Sequence, residues 1–384
     1  MKAVRFGHRV IGFLARRSRR ADAIGSCQAN RPRLSRSSWA TFRQARLRNA
    51  AWGSIAMLMS ATLSASGASL AEGQDDVCGG SSPCLPAPEQ THCAERPSVC
   101  GYPDETNTGP ARGTVLRRVP QDVSSGPGWA WEPNMGRLRV TGPGAKIEAV
   151  EVRGQVVIDA PNVTLRDSKI LACDTDSIVA VRAGRPADGY DADGARIENN
   201  LLGCDGAADQ RASRGVSDVY GSARGLIVRG NNIWNVSNGI TIEREGLVQG
   251  NFVRDLGHKA GDHHSGISNH GGATDVIFDH NTVLLSQEGV SAPIVVYSDF
   301  APARNVTITR NLVSGGSYCV YGGESGAFAP SSGHIRIIGN RFSKIYGHNG
   351  HCGIYGQIAT FAPTNRSDLS GNAWDEDLRP LSGE

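Results

Sequence analysis

The chain has 384 residues, 39% of them hydrophobic, 20% charged and 6% aromatic, which supports one large core or two modest ones and excludes a disordered chain, a disulfide mini-scaffold and a multi-pass membrane protein. The formal net charge of +3 is misleading, because residues 1–48 hold 12 Arg and one Lys against Asp22 alone, whereas from Glu72 onward 27 basic residues face 36 acidic ones, a balance of −9. An acidic body of this kind excludes a long basic face for nucleic acid or an anionic membrane, since phosphate binding rests on clustered Lys and Arg.

At the N-terminus, Arg43, Arg46 and Arg48 precede an uncharged stretch, 49–71, that carries Ile55, Met57, Leu58, Met59 and Leu63 and then turns to small residues. This is the basic, apolar and small-residue order of a secretory signal, with cleavage after Ala68 or Ala71. The apolar part is shorter than the ~20 residues of a spanning helix, so stable membrane insertion is not expected. Residues 1–71 thus read as an N-terminal extension and signal, and the product as secreted. The first 40 residues are long for such a leader; a start codon assigned too early explains them and leaves Cys27 without structural meaning.

Residues 72–112 are rich in Pro, Ser and Cys and read as a stapled leader ahead of a body over 113–384. Eight cysteines remain after the signal: Cys78, Cys84, Cys93, Cys100, Cys173, Cys204, Cys319 and Cys352. An even count in an exported chain predicts disulfides, and the lack of any C-x-x-C pair argues against zinc. Cys173 and Cys204 lie 31 residues apart, and Cys319 and Cys352 occupy nearly equivalent places in neighbouring repeats, so each pair is expected to close from coil to coil.

From about residue 160 the chain repeats itself. The unit is apolar, any, apolar, two of any, Asn, any, apolar, as in Val228, Asn231 and Ile233, or Phe278, Asn281 and Val283. The Asn-equivalent positions Ser168, Asn200, Asn231, Asn251, Asn281, Asn311, Asn340 and Asn372 are separated by 32, 31, 20, 30, 30, 29 and 32 residues. A period of this size with strand alternation and no helical heptads predicts a β-solenoid of about eight or more coils. Asn is expected where the chain turns sharply through a left-handed residue, with its side chains bonded from coil to coil.

Between one Asn turn and the next repeat lies a second strand family: 239–243, 266–270, 295–299, 319–323 and 353–357. If Ile240, Ile267, Val296, Val320 and Ile354 point inward, alternation puts Thr241, Ser268, Tyr297, Tyr321 and Tyr355 in one outer column. Glu243, His270, Asp299, Gly323 and Gln357 then form the other. Three tyrosines in register make an aromatic ladder suited to sugar rings. Glu243, His270 and Asp299 are the candidate catalytic residues. Two carboxylates two coils apart are about 9–10 Å apart, near the gap of an inverting glycosidase, and His270 suits a base near neutral pH. The loop before the second strand, 257–265, adds Lys259, His263 and His264 as substrate contacts. His258, Asp262 and these histidines lack a metal-binding spacing such as H-E-x-x-H. No cofactor is expected, with a divalent cation such as calcium as the open alternative. Gly142-Pro-Gly144 is a turn, and no Gly-x-Ser-x-Gly elbow is present, which argues against a serine hydrolase.

The chain resembles the right-handed parallel β-helix class that includes pectate lyases, and more closely a group of secreted actinobacterial β-helix proteins. The motifs that carry the resemblance are Asn107-Thr-Gly109, Tyr297-Ser-Asp299-Phe-Ala-Pro302, Ser317-Tyr-Cys-Val-Tyr-Gly-Gly323, Gly350-His-Cys-Gly-Ile-Tyr-Gly356 and Gly371-Asn-Ala-Trp-Asp375, spread over about 105–380. It implies an all-β, right-handed parallel β-helix acting on an extracellular polysaccharide, most naturally as a lyase, and a monomer. An inverting glycoside hydrolase built on Glu243 and Asp299 is the alternative. Members of the group usually show His-x-Asp-Gly-Ile-Gln where this chain has His263-His-Ser265-Gly266-Ile267-Ser268. Ser in place of Asp and of Gln favours a third reading, a glycan-binding or surface structural protein without catalysis.

Overall fold

The computed structural model describes residues 90–384, apart from 208, 258–263, 273–274, 287–288, 324–327, 362–366 and 382–384. Each repeat contributes one short strand to each of three sheets. The strand before the Asn joins a 9-stranded sheet, the strand after it a 10-stranded sheet, and the second strand family an 11-stranded sheet. Every pairing between successive coils is parallel, as in Leu226↔Gly246 and Asn232↔Phe252. Parallel strands joined by crossovers wind right-handed, and the fold is a right-handed parallel β-helix. The 20-residue interval is one bare coil, Leu226–Arg229, Asn232–Trp234 and Val236–Thr241, before Gly246–Gln249 starts the next.

Apolar side chains at equivalent places stack up the interior. Ile197, Val228, Val248, Phe278, Ile308 and Ile337 form one file, and Leu202, Ile233, Val253, Val283, Val313 and Phe342 another, all fully buried. These are the apolar positions on either side of Asn in the repeat. An antiparallel hairpin, Trp129–Glu132 with Arg137–Val140, covers the N-terminal end and buries Trp129.

The corner between the 9- and 10-stranded sheets is held by a buried amide ladder. Each Asn from Asn200 to Asn340 gives its backbone N–H and its Nδ2 to the Oδ1 of the next, as in Asn251 to Asn281 at 3.0 and 2.9 Å and Asn281 to Asn311 at 2.9 and 2.9 Å. The same Nδ2 reaches back one coil, Asn281 to the Val248 carbonyl at 2.9 Å. Each amide therefore ties three coils. The left-handed residue is not the Asn but the one before it: Asn199, Gly230, Gly250, His280, Arg310, Gly339 and Gly371 all have φ between 53° and 66°. The turn falls one residue earlier than expected, which points the Asn side chain into the corner.

Residues 90–109 form a strap along the outside of the 10-stranded sheet. Cys93, closed to Cys100, and Ala94 pack on Phe252, Leu284 and Leu312. Backbone clasps fix both ends, His92 N–H to the Asp375 carbonyl at 2.9 Å and Gly109 N–H to the Gly230 carbonyl at 2.8 Å. Halfway, Tyr102 stacks on His280 with ring centroids 5.2 Å apart. The latter part of the stapled leader is thus a working layer of the fold. Cys173–Cys204 and Cys319–Cys352 close from coil to coil. Cys78 and Cys84, like the whole of 1–89, lie outside the described residues.

Gly215, Gly239 and Gly266 share one level of the 11-stranded sheet, beside the paired Arg214, Asn238 and Ser265. A Cβ on Gly239 would stand 2.3 Å from the Gly266 carbonyl oxygen and 2.7 Å from Val253 Cγ1. Gly239→Ala must therefore push two coils apart and is expected to cost ~1–3 kcal/mol by overpacking. Urea unfolding measures this; an unchanged midpoint would remove the steric argument.

Candidate functional site

The outer face of the 11-stranded sheet carries a groove of about 840 Å³. Strands Arg137–Val140, Gln155–Ile158, Val179–Val181, Ala212–Asp218 and Val236–Thr241 build its floor, and the ends of the strands and the turns after them supply the polar groups. Glu243, His270 and Asp299 all line it.

Glu243 and His270 follow one another on adjacent coils, two residues beyond the paired Thr241 and Ser268. Glu243 Oε2 accepts the His270 backbone N–H at 2.6 Å, and Oε1 lies 2.6 Å from His270 Nδ1. The carboxylate fixes the ring, and in the neutral imidazole it selects the tautomer with hydrogen on Nδ1 and a lone pair on Nε2. The pair is partly open, with side-chain exposures of 15% for Glu243 and 29% for His270.

The column does not continue as alternation suggested. Ile267 pairs with Ile294, not Val296, and Val320 with Ile358, not Ile354. Ile294 and Val296 are two apart and Ile354 and Ile358 four apart, so an even shift keeps the same face and is invisible to the pattern; the pairing also skips Ser291 in a bulge opposite His264 and Ser265. Consequently Tyr297, not Asp299, comes next to His270, with ring centroids 5.9 Å apart. Asp299 sits beyond it, exposed at the mouth beside Phe300, and the expected two-coil column from Glu243 to Asp299 is not formed.

The tyrosines share no single column either, yet their rings meet. Tyr297 contacts Tyr321 at 5.6 Å, Tyr321 contacts Tyr318 at 5.7 Å, and Tyr318 contacts Tyr355 at 5.9 Å. Burial pushes the Tyr297 phenol up to about 12 and raises that of Tyr321, so both stay protonated hydrogen-bond donors. His264 is a correction: it opens its strand fully buried, with Nδ1 3.3 Å from the Ser237 carbonyl, and does not reach the groove. The pattern His-His-Ser crosses into the strand His264–Asn269, whose first residue is buried rather than part of the loop. Lys259 and His263, with His258 and Asp262, lie outside the described residues. Among the described residues no three His, Cys, Asp or Glu side chains converge as a cation site, and no helix is long and apolar enough to cross a membrane.

Three features escaped the sequence reading. Asp159 holds Arg182 at 2.5 Å and Arg139 at 2.8 Å on the groove's N-terminal side. Arg182 lies 4.1 Å over the Tyr190 ring, which stacks on Tyr220. Asp218 is buried at a strand end and accepts the Ser222 and Ala223 backbone N–H groups at 3.2 Å each. Its only sequence signal was an Asp three residues before Gly221, the mark of a turn capped by its own side chain.

Burial pushes the Asp218 carboxyl up to about 6. That value exceeds the ~3.9 of an unfolded Asp, so the folded chain holds a proton that the unfolded chain releases. Stability is then lost as pH rises from ~4 to ~6. Asp218→Asn, which still accepts the turn's N–H groups, is expected to abolish that loss of about 2–3 kcal/mol. Urea midpoints on either side of the window test it, and equal slopes for both proteins would refute it.

No protein-family model matches this chain, and no curated protein does. Among solved structures, the crystal structure of the Dettilon tailspike protein is similar to it at 13% identity and a TM-score of 0.29, covering 62% of this chain. The chain spans 54% of that protein's length.

Proposed function

We propose that this protein is an exported, pectate-lyase-like β-helix that holds a polysaccharide along the groove of its 11-stranded sheet and acts on it through Glu243 and His270. The observation that carries the reading is the 2.6 Å contact of Glu243 with His270 Nδ1, which leaves Nε2 as a base beside a row of touching tyrosines. In hydrolysis His270 takes a proton from water, the water oxygen bonds to the anomeric carbon, and the departing sugar oxygen gains a proton from the Tyr297 hydroxyl. In elimination, the second reaction of this site, His270 takes the proton α to a uronate carboxylate and Tyr297 protonates the leaving oxygen. That route needs a cation over the uronate, a role for Lys259 or Arg214.

Binding without cleavage is favoured by one observation. Ser265 and Ser268 are buried, bonded to Asn238 at 2.8 Å and to Thr241 at 3.1 Å, so neither offers groove chemistry where the resembling group carries Asp and Gln. Three disulfides among the described residues support an oxidising compartment, with 1–71 as the signal and the mature chain a monomer.

The test incubates the exported chain with neutral and uronate polysaccharides and reads new reducing ends together with the ultraviolet absorbance of unsaturated uronates. Reducing ends alone establish hydrolysis, and both signals establish elimination. Silence on both, with retention on a glycan, establishes the binding reading.

A further inference from the structure

Charge bookkeeping in the groove says more about the ligand than the reacting pair does. Three arginines line it: Arg137, Arg182 and Arg214. Arg137 is bound to Glu132 at 2.6 Å and Arg182 to Asp159 at 2.5 Å. Only Arg214 has no carboxylate partner among the described residues. Four carboxyl groups face the same space: Asp176, Asp218, Glu243 and Asp299. Of these, Asp176 and Asp299 are exposed and have no basic partner among the described residues. A chain with a carboxylate on every sugar would meet one available guanidinium and two uncompensated acids, and like charges across an interface act as rejection.

The aromatic row that begins beside the groove, where Tyr297 meets His270 at 5.9 Å, is complementary in the other sense. Tyr297, Tyr321, Tyr318 and Tyr355 cross three successive coils, a track of about 10 Å at ~4.8 Å per coil. Tyr355 is 66% exposed and Phe300 79%. Tyr297, Tyr318 and Tyr321 are half-buried and their rings meet tilted or edge-on, so the row offers partial aromatic surface with Tyr355 as its open face, which matches the C–H faces of pyranose rings. The phenols bring hydroxyl donors and no charge.

Resting on the glycan reading above, we infer that the ligand is an uncharged pyranose polymer laid along the solenoid axis, with its rings on the tyrosine track, and not a polyuronate. Any cleavage is then hydrolytic, since elimination requires the uronate carboxylate to acidify the α-proton. Arg214 and the acids read hydroxyl groups rather than a charge pattern.

The experiment measures retention of the exported chain in gels containing xylan, mannan or mixed-linkage glucan, and in gels containing polygalacturonate or alginate, each at low and high salt. Retention by a neutral polymer, insensitive to salt and weakened about tenfold by Tyr355→Ala, is the expected result. Tyr355 is exposed, so that variant keeps its fold, and circular dichroism verifies this. Preference for polygalacturonate or alginate, lost as salt rises, overturns the inference while leaving the glycan reading intact. Neutral retention undiminished by Tyr355→Ala overturns the track. Retention by no polymer overturns the glycan reading and the inference with it.

Discussion

Asn281→Ala is expected to destabilise the fold by about 3–5 kcal/mol. The substitution takes the Oδ1 acceptor from the Asn251 backbone N–H and Nδ2, and the Nδ2 donor from the Val248 carbonyl and Asn311 Oδ1. All these groups are shut away from water, because Asn251, Asn281 and Asn311 are each 0% exposed. Leaving a buried donor unmade costs ~1–3 kcal/mol apiece, more than the net gain of making it. Asn281→Ser, which keeps an oxygen as Ser168 does at the first rung, should fall between wild type and alanine. Urea unfolding of the three proteins decides it, and a loss below ~1 kcal/mol for the alanine variant would show that the ladder is dispensable.

His270→Ala is expected to lower cleavage about 10²–10⁴-fold while leaving glycan retention near wild type, because it removes the base and little contact area. Glu243→Gln should cost a similar factor for a different reason. Its amide can present an oxygen to the His270 backbone or to Nδ1, but the second contact then becomes donor against donor unless the ring changes tautomer, and that removes the lone pair from Nε2. Both effects belong to turnover. Full activity in either variant would unseat the pair, and equal losses of binding and turnover would mean that the residues merely shape the groove.

The coil repeat was legible because it is dictated by short-range chemistry. A buried amide every turn and an apolar residue on each side of it can be read directly as Val228, Asn231 and Ile233. The contact of Glu243 with His270 was legible for the same reason, since both follow the strand sequence Gly-Ile by the same count. The register beyond them was not. Ile294 and Val296 are equally suitable inward residues two apart, so no pattern of apolar residues records which one faces Ile267. Asp218 and Asp159 were missed because their partners, a turn's own N–H groups and arginines 20 and 23 residues away, leave no periodic mark.

The strap makes the order of synthesis matter. His92 and Ala94 leave the ribosome long before Asp375, 281 residues after Ala94, yet both are clasped by it. Coils can stack as they emerge, each on the one before. The far end of the strap completes its clasp only when that distant rung arrives, after its contacts with Gly230, His280 and Leu312 have become available. Closing of that clasp is therefore the step that reports completeness. A chain cut short before Asp375 would keep most of its coils and the apolar stripe, and would lack the clasp that pins His92 and Ala94 over it.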